Sequence, residues 1–514
     1  MTEFVWRVGP LAAETARLFA QVLAFKLQTG DCVALSGDVG AGKTTLARSI
    51  IRAITAEPEL DVASPTYALM QSYASSRANI QHYDFYRLGQ AEDVLEIDFE
   101  DGVADCITLV EWPERAEEIL PDVRLSIDIE EVQLEGGAEA RIYQLTAGGD
   151  TAQRLQRVKD IWQFLTGWMG NDAAMGDVTF SYLQGDASAR AYAVLERAGT
   201  SWILMDSPRQ PDGPPIRDGK SYSQFAHLAE DICPFIAIAD ELSRNGFSVP
   251  EIDAADFEQG LAVVENLGPN VFGSLIESGH DKAELYRAAT DVLVELAKVR
   301  VPDLLTIDGH SHVVPTYSQS VLLIETELLL DWYAPWSIGE AAAADERQEF
   351  LALWTAQLRR LESLPRGWAL RDFHSPNLLW LPERTGKAQV GLIDFQDAQV
   401  GHAAYDLVSL LQDARLDIEE PLETELLAHY CAQSARLDAD FNETDFRWAY
   451  AVLGAQRNTK ILGIFARLAQ RDGKPQYLRH IPRITRYVRR NLRHPDLAPL
   501  KTWYEQHLPG FVEE

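Results

Sequence analysis

Residues 37–44 read GDVGAGKT, and this segment constrains the fold of the chain more than any other. It matches the pattern G-x-x-x-x-G-K-S/T, in which glycines allow consecutive backbone N–H groups to curl around an anion at the start of a helix. Such a loop needs a buried strand before it and a helix after it. Residues 32–35 are a short apolar run and residues 46–54 have helical periodicity, so the sequence predicts strand, loop and helix in that order.

A loop of this kind binds the phosphates of ATP, and each position has its own task. The glycines Gly37, Gly40 and Gly42 let the backbone approach the phosphates. Lys43 would reach the β- and γ-phosphates, and the hydroxyl of Thr44 would be a ligand of Mg²⁺.

Further apolar runs place this loop in a larger sheet. Residues 107–110 predict a second buried strand, and residues 125–129 alternate as an edge strand would. Strands that alternate with helices are typical of a nucleotide-binding sheet. Glycine pairs then interrupt the pattern. We therefore expect an α/β P-loop domain at residues 1–145, followed by a linker at residues 146–159.

Two carboxylates follow predicted strands of this domain. Asp84 lies at the end of one strand. Glu111 comes directly after the buried run and is followed by Trp112. A metal-coordinating or water-positioning acid belongs at such a place beside a phosphate loop. Either carboxylate alone would more often be a helix cap than a ligand, so their order along the chain matters more than their presence.

Taken in order, GDVGAGKTT, SPTY at 64–67, HYDFYRL at 82–88 and VEWPE at 110–114 closely resemble the TsaE family. Its members are small ATPases that help to make the threonylcarbamoyl modification of tRNA adenosine 37. The resemblance implies that this domain works in a complex with the transferase and its companion, which would hold the tRNA. The rival interpretation is a stand-alone P-loop kinase for a small molecule.

The resemblance to TsaE also implies roles for individual residues. The lysine and threonine of the loop would bind ATP and Mg²⁺, and the next residue, Thr45, would have a lesser role. Glu111 would be a second carboxylate on the metal side, whereas Asp84 and Trp112 would be needed for turnover.

A second motif of unrelated design lies near the other end of the chain. Residues 370–377 read LRDFHSPN, and residues 392–395 read LIDF. These segments resemble the catalytic and metal-binding segments of the protein-kinase-like fold, in its aminoglycoside phosphotransferase branch. In that fold Asp372 would accept the proton of the attacking hydroxyl, while Asn377 and Asp394 would bind Mg²⁺.

The protein-kinase-like fold has two lobes of different composition. Residues 175–270 look like strands separated by Gly- and Pro-rich turns, as the small lobe requires. Residues 271–512 look largely helical. We therefore expect a bilobal α+β domain at residues 160–512.

The small lobe supplies the expected contacts to ATP, with one departure from the family pattern. Gly185 and Arg190 lie in a turn that could cover the phosphates, and the backbone from Glu265 to Leu267 would pair with adenine. The strand lysine that normally grips the α- and β-phosphates is missing, because Met205 stands where it is expected. Arg190 is the proposed substitute.

Three segments narrow the family further. The turn GDASARAY at 185–192, the strand LMDSP at 204–208 and the ending at 477–509 resemble AmgK. That family phosphorylates the anomeric hydroxyl of N-acetylmuramate and N-acetylglucosamine during cell-wall recycling, and the resemblance covers about residues 155–512. Two alternatives stay open for this half of the chain. It could be a kinase for another small hydroxylated metabolite, such as an amino alcohol or an aminoglycoside, or a non-catalytic regulatory module.

Charge and composition limit the partners. The formal net charge is −32, which argues against direct nucleic-acid binding, because that requires lysines and arginines to replace phosphate counterions. The four cysteines lie far apart with no metal-ligand spacing. We find neither a signal peptide nor an apolar run that would span a bilayer, so a cytoplasmic protein without a membrane partner is expected.

Overall fold

The computed structural model describes residues 4–88, 99–134, 136–170, 175–183, 190–215, 217 and 219–511. The chain divides into two compact units. Unit one comprises Met1–Arg209 and Ile252–Asn266, and unit two comprises Gln210–Glu251 and Leu267–Glu514. No helix in the described part of the chain is long and apolar enough to cross a membrane.

Unit one contains a seven-stranded sheet flanked by helices. The strands lie in the order β1-β7-β6-β2-β5-β4-β3. Strand β2 is parallel to β5 and β6, and β4 is parallel to β5, whereas β1, β3 and β7 pair in antiparallel fashion. Their bounds are β1 Phe4–Leu11, β2 Cys32–Ser36, β3 Met70–Tyr73, β4 Ile80–Asp84, β5 Ile107–Glu111, β6 Leu125–Gln133 and β7 Glu139–Ala147. The helices are α1 Ala13–Lys26, α2 Lys43–Thr55, α3 Phe99–Asp105 and α4 Gly149–Met169.

Strand β6 corrects the expectation of an edge strand at 125–129. It lies inside the sheet, between β2 and β7. Its alternation has another cause: Leu125, Ile127 and Ile129 are buried, while Asp128 and Glu130 face solvent. One exposed face is enough to produce a period of two, because neighbouring side chains point to opposite faces of any strand.

The stretch at 146–159, expected as a linker, contains the end of β7 and the first half of α4. The buried face of α4 includes Leu155, Ile161 and Leu165, and the ring of Trp162 packs edge-on against Phe19 of α1 at 5.2 Å. The connection between the two predicted domains is therefore a packed helix.

A second, five-stranded antiparallel sheet completes unit one, in the order β11-β12-β10-β9-β8. It shares one apolar cluster with α1, α2 and α4. Two ring contacts mark this shared core, Phe25 with Phe180 at 5.3 Å and Trp168 with Trp202 at 5.2 Å. The bounds are β8 Thr179–Leu183, β9 Ala191–Arg197, β10 Thr200–Asp206, β11 Ile252–Asp256 and β12 Leu261–Glu265.

Unit two is mainly helical. The helices are α5 Tyr222–Ala226, α6 Cys233–Arg244, α7 Phe272–Glu277, α8 Lys282–Leu296, α9 Gln319–Leu328, α10 Ala334–Ile338, α11 Ala344–Leu361, α12 Ala404–Leu411, α13 Glu420–Leu437, α14 Glu443–Gln470, α15 Ile481–Asn491 and α16 Ala498–His507. Helix α14 is the longest of them and packs against α9 so closely that a Cβ on Gly463 would lie 2.3 Å from the carbonyl carbon of Leu328. This close packing gives unit two a rigid centre.

Three two-stranded ribbons, β13–β14, β15–β18 and β16–β17, accompany these helices. Their bounds are β13 Leu305–Ile307, β14 His310–His312, β15 Gly367–Ala369, β16 Leu378–Trp380, β17 Val390–Leu392 and β18 Gln399–Gly401. The last four strands flank the segments LRDFHSPN and LIDF, so the second motif lies on short hairpin strands.

Candidate active sites

The glycine loop follows β2 and leads directly into α2, as its pattern predicts. Gly37, Gly40 and Gly42 have φ angles of 133°, 87° and 107°, a region that side chains with a Cβ rarely adopt. At Gly37 a Cβ would also lie 2.5 Å from the carbonyl oxygen of Ile129. Glycine is therefore required by the backbone conformation at these positions.

Lys43 starts α2 and is buried. Its Nζ donates to the carbonyl oxygens of Gly37, at 2.7 Å, and of Asp38, at 2.8 Å. The same ammonium lies 3.7 Å from the centroid of the Trp112 ring, a cation–π contact. Burial lowers the pKa of Lys43, and the nearby carboxylates, Glu111 first, oppose that shift. Two of the residues expected in this site, Lys43 and Trp112, are therefore in direct contact.

Thr44 and Glu111 also meet, although 67 residues separate them in sequence. The Thr44 hydroxyl donates to Glu111 Oε2 at 2.9 Å, and His82 Nε2 lies 2.9 Å from Glu111 Oε1. Glu111 is 2% exposed and His82 is fully buried. A hydroxyl and a carboxylate side by side are oxygen donors of the kind that Mg²⁺ prefers.

Asp84 is the register neighbour of Glu111 across β4 and β5. The hydroxyls of Ser64 and Thr66 both donate to its Oδ2, from Thr66 at 2.7 Å, and the backbone N–H of Tyr86 donates to its Oδ1 at 2.9 Å. These contacts fix the carboxylate at the carboxyl edge of the sheet, beside the glycine loop.

Several contacts of this site leave no local signal in the sequence. The SPTY and HYDFYRL segments mark the region, but the bonds from Ser64 and Thr66 to Asp84, and from His82 to Glu111, depend on strand register. Arg141 of β7 donates from Nε to the carbonyl oxygen of Ala41 at 2.8 Å, and no local signal marks it. The predicted Thr45 lies in the first turn of α2 with an exposed side chain.

In unit two the three polar residues of the second motif converge. The Asn377 amide donates to the backbone oxygen of Asp372 at 3.0 Å and to Asp394 Oδ2 at 3.3 Å. Gln396 donates from Nε2 to the other carboxylate oxygen of Asp394 at 2.7 Å. Asp372 itself is half-buried.

Asp406 holds the backbone of this loop. Its two carboxylate oxygens accept the N–H groups of Leu370, at 2.6 Å, and Arg371, at 2.9 Å. Burial raises the pKa of Asp406 to about 7, and the two backbone hydrogen bonds oppose that rise.

Arg371 adopts a φ of 72° and is buried, and its guanidinium donates to Glu325 at 2.9 Å. Glu325 also accepts from Lys460 at 2.7 Å and from the hydroxyl of Tyr317 at 2.6 Å. The loop that carries Asp372 is therefore anchored on both sides, by Asp406 and by Glu325.

The residues expected to bind ATP in the small lobe are distributed over both units. Glu265 ends β12 in unit one, whereas Leu267 is in an apolar cluster with Leu379 and Leu381 in unit two. Met205 is buried on β10, and the half-buried Arg190 immediately precedes β9. The predicted contact of Gly185 lies outside the described residues.

Two family models match the chain. One is described as "Threonylcarbamoyl adenosine biosynthesis protein TsaE" and matches residues 11–140. The other, "Phosphotransferase enzyme family", matches residues 179–445 and corresponds to aminoglycoside phosphotransferases. Together with the two sites, these matches define the class: an enzyme in which a P-loop ATPase domain is joined to a phosphotransferase of the kinase-like fold.

Similar proteins specify the families. An N-acetylmuramate/N-acetylglucosamine kinase of Caulobacter vibrioides is 39% identical over 346 residues, which are 65% of this chain and 93% of that protein. The kinase of the same name from Pseudomonas aeruginosa is 31% identical over 61% of this chain and 84% of its own length. The TsaE protein of Rickettsia felis is 37% identical over 117 residues, 23% of this chain and 68% of its own length. The chain belongs to both the TsaE family and the family of N-acetylmuramate/N-acetylglucosamine kinases.

Proposed function

We propose that this chain joins two ATP-dependent activities. Its C-terminal part phosphorylates the anomeric hydroxyl of N-acetylmuramate or N-acetylglucosamine, and its N-terminal part hydrolyses ATP to assist the threonylcarbamoylation of tRNA adenosine 37. The observation that carries the kinase assignment is the position of Asn377, whose amide bonds both to the backbone oxygen of Asp372 and to the carboxylate of Asp394. A non-catalytic module would not need this polar cluster.

In the kinase reaction Asp372 would accept the proton of the sugar hydroxyl. An anomeric hydroxyl is a poor nucleophile until it is deprotonated, so a positioned carboxylate base suits this substrate. Asp394 and Asn377 fit Mg²⁺, since they offer a carboxylate and an amide oxygen and their side chains are neighbours: Asn377 Nδ2 lies 3.3 Å from Asp394 Oδ2. When bound, Mg²⁺ would neutralise charge on the transferring phosphoryl group.

ATP would be held in the kinase by a lobe that lacks the usual lysine. Arg190 is the proposed cation for the phosphates, Gly185 belongs to the covering turn, and the backbone of Glu265 and Leu267 is proposed to bind adenine. The alternative substrates, amino alcohols and aminoglycosides, require no change in these roles, because only the acceptor differs.

In the ATPase reaction the glycine loop and Lys43 would bind the phosphates, with Thr44 and Glu111 on the Mg²⁺ side. The bond between Thr44 and Glu111 supports this pairing. Among the described residues no group of three or more His, Cys, Asp or Glu side chains is arranged for a metal. Mg²⁺ bound by one or two protein oxygens and by phosphate oxygens needs no such group.

The partners of the ATPase would be the transferase of the modification pathway and its companion protein. Asp84 accepts the backbone N–H of Tyr86, and the Tyr86 ring lies 5.0 Å from that of Trp112, which contacts Lys43. These contacts connect both residues to the glycine loop, which supports the proposal that they are needed for turnover.

The kinase proposal is tested with the full chain and four acceptors: N-acetylglucosamine, N-acetylmuramate, choline and kanamycin. The wild type should transfer phosphate to an amino sugar, and Asp372→Asn should reduce kcat about 10²–10⁴-fold, since it removes a general base. Glu383→Gln, an exposed acid on the nearby hairpin, serves as the matched control. Transfer to choline or kanamycin alone would favour the alternative substrate class, and unchanged turnover in Asp372→Asn would refute the kinase assignment.

The ATPase proposal needs a background without kinase turnover. In the Asp372→Asn chain, ATP hydrolysis should be slow and should rise when the transferase and its companion are added. Glu111→Gln should abolish the rise. Fast phosphoryl transfer to a nucleoside or sugar in this background would instead support the stand-alone P-loop kinase.

A further inference from the structure

Unit two contains a cavity of about 410 Å³ that the roles above leave unassigned. Its volume falls in the range of roughly 300–1,000 Å³ that is usual for small-molecule sites. Its polar lining comes from three separate parts of the unit and includes Gln224, His227, Glu230, Asp231, His312 and Gln396.

One wall of this cavity is bonded to the proposed metal site. Gln396 lies two residues after Asp394, is 5% exposed, and donates from Nε2 to Asp394 Oδ1 at 2.7 Å. A molecule in the cavity would therefore contact Gln396, the side chain that is bonded to the Asp394 carboxylate of the proposed metal site.

A second part of the lining is bonded to the segment that follows Asp394. The backbone N–H of Ala229 donates to Asp397 Oδ1 at 2.6 Å, and Gln399 donates from Nε2 to the carbonyl oxygen of Ala226 at 2.7 Å. These bonds hold the segment at 226–229 against the segment that contains Gln396, and both segments contribute to the lining.

The lining groups suit a polyhydroxylated ring. Asp231 Oδ1 accepts the N–H of Cys233 at 2.9 Å, which fixes this carboxylate at the start of α6. The buried Nε2 of His312 has no hydrogen-bond partner among the described residues. Burial lowers the pKa of His312, with Asp231 opposing the shift, so its imidazole is neutral at pH 7 and can donate or accept. A carboxylate, an amide and a neutral imidazole together match the donors and acceptors of sugar hydroxyls.

The charge of the lining also affects which acceptor the cavity favours. Glu230 and Asp231 are acidic, and none of the described lining residues is a lysine or an arginine. A carboxylate on the acceptor, such as the lactyl group of N-acetylmuramate, would be repelled by Asp231 and would gain less from this wall than a neutral hydroxyl does.

We propose that this cavity is the acceptor site of the kinase and that Asp231 and His312 bind hydroxyls of the amino sugar. The inference rests on the proposed kinase function and names the residues that read its substrate. It assigns no part in proton transfer to either residue.

The test compares KM for the sugar and for ATP in the full chain. Asp231→Asn can keep the bond from the Cys233 N–H, because the Oδ1 of asparagine accepts a hydrogen bond as a carboxylate oxygen does. It should raise KM for N-acetylglucosamine about tenfold or more, as expected for the loss of a hydrogen bond to a charged group. KM for ATP should stay within twofold, which also shows that the variant is folded. Asp303→Asn, whose side chain is 95% exposed, is the matched control.

Two further readouts separate this proposal from a merely structural role. His312→Ala should raise KM for the sugar by a similar factor. Asp231→Asn should raise KM for N-acetylmuramate less than KM for N-acetylglucosamine, because the repulsion of the lactyl carboxylate is lost together with the hydrogen bond.

The outcomes distinguish the cavity from the function. If the wild type phosphorylates a sugar and both variants keep the KM of the wild type, the acceptor site is refuted and the kinase stands. If the wild type phosphorylates only choline or kanamycin, the amino-sugar site at Asp231 and His312 is refuted and a kinase for another acceptor stands. If it phosphorylates none, the kinase and its acceptor site fall together.

Discussion

The two sites proposed to bind ATP phosphates carry side chains of opposite charge. The glycine loop offers backbone N–H groups and the buried Lys43, which stacks on Trp112. The loop around Asp372 offers carboxylates and an amide, and the small lobe that accompanies it has no lysine between residues 175 and 209 or between 252 and 266. The first site contains its own cation, whereas under the proposed function the second would use Mg²⁺ and Arg190.

This difference affects how each site is supported. The glycine loop is determined by local backbone conformation, and its side chains contact residues on neighbouring parallel strands. The Asp372 loop is determined by distant anchors, since Asp406 and Glu325 lie 36 and 46 residues from their loop partners Leu370 and Arg371. A mutation in the first site should therefore change the activity of that site alone. A mutation at an anchor of the second site should also disturb the packing of unit two.

The largest expected effect tests whether the two sites are independent. Lys43→Met keeps an apolar stem against Trp112 but removes the charge. We expect ATP hydrolysis in the Asp372→Asn background to fall about 10²–10³-fold, as for loss of a preorganised charge that stabilises the transition state. Sugar phosphorylation by the Lys43→Met single variant should stay within twofold of wild type. An equal loss of both activities would show that one glycine loop serves both reactions.

The next prediction concerns the stability of unit one, which contains both the glycine loop and the small antiparallel sheet. Asp206 of β10 is fully buried, accepts from Arg157 Nε at 2.9 Å and pairs with Lys26. Asp206→Ala would leave two cations partly buried without their carboxylate, which should cost about 3–5 kcal/mol of unfolding free energy.

Urea denaturation followed by tryptophan fluorescence measures this loss. Asp128→Ala, an exposed acid on β6 of the same unit, should change the unfolding free energy by less than about 0.5 kcal/mol. Because α1, α4 and the small sheet share one core, kinase activity should not persist at a urea concentration that abolishes ATP hydrolysis. Kinase activity that outlasts ATP hydrolysis as urea rises would contradict a single cooperative unit one.

The sequence was sufficient where local geometry decides the structure. The glycines of residues 37–44 adopt the positive φ angles that their spacing predicts, and Asn377 lies within hydrogen-bond distance of the Asp372 backbone and the Asp394 carboxylate. It was insufficient where register or packing decides. The partners of Asp84 and Glu111 come from β4 and from the turn at 64–67, and no periodicity in one strand reveals its neighbour.

The strand at 125–129 is another example. Its alternation of apolar and polar residues predicts one exposed face, but it does not predict which strands lie beside it. The anchors Glu325 and Lys460 are a further example. They lie on two helices far apart in sequence, among both apolar and polar buried side chains, and only the folded unit shows that Glu325 meets Arg371 and Lys460. Long-range charge pairs of this kind leave no signal at the spacing of a helix.

A moderate effect tests the cation of the second site. If Arg190 replaces the missing lysine, Arg190→Ala should raise KM for ATP in the kinase reaction about tenfold, as for loss of one charge-assisted contact. ATP hydrolysis in the Asp372→Asn background should not change. Arg300→Ala, with a side chain 85% exposed, is the matched control. An unchanged KM for ATP in Arg190→Ala would mean that the second site uses no arginine at this position.

The smallest expected effect distinguishes the roles of the Thr44 and Thr45 hydroxyls in ATP hydrolysis. Thr44 donates to Glu111, whereas the Thr45 side chain is exposed in the first turn of α2. Thr45→Val should therefore change ATP hydrolysis less than about threefold, which corresponds to roughly 0.6 kcal/mol. Thr44→Val removes the hydroxyl proposed for Mg²⁺ and should reduce hydrolysis at least tenfold, with a steeper dependence on Mg²⁺ concentration. Both variants are measured in the Asp372→Asn background over a Mg²⁺ titration. Equal losses of ATP hydrolysis would show that Thr45 also approaches the nucleotide. The first site would then include residues beyond those in contact with Glu111.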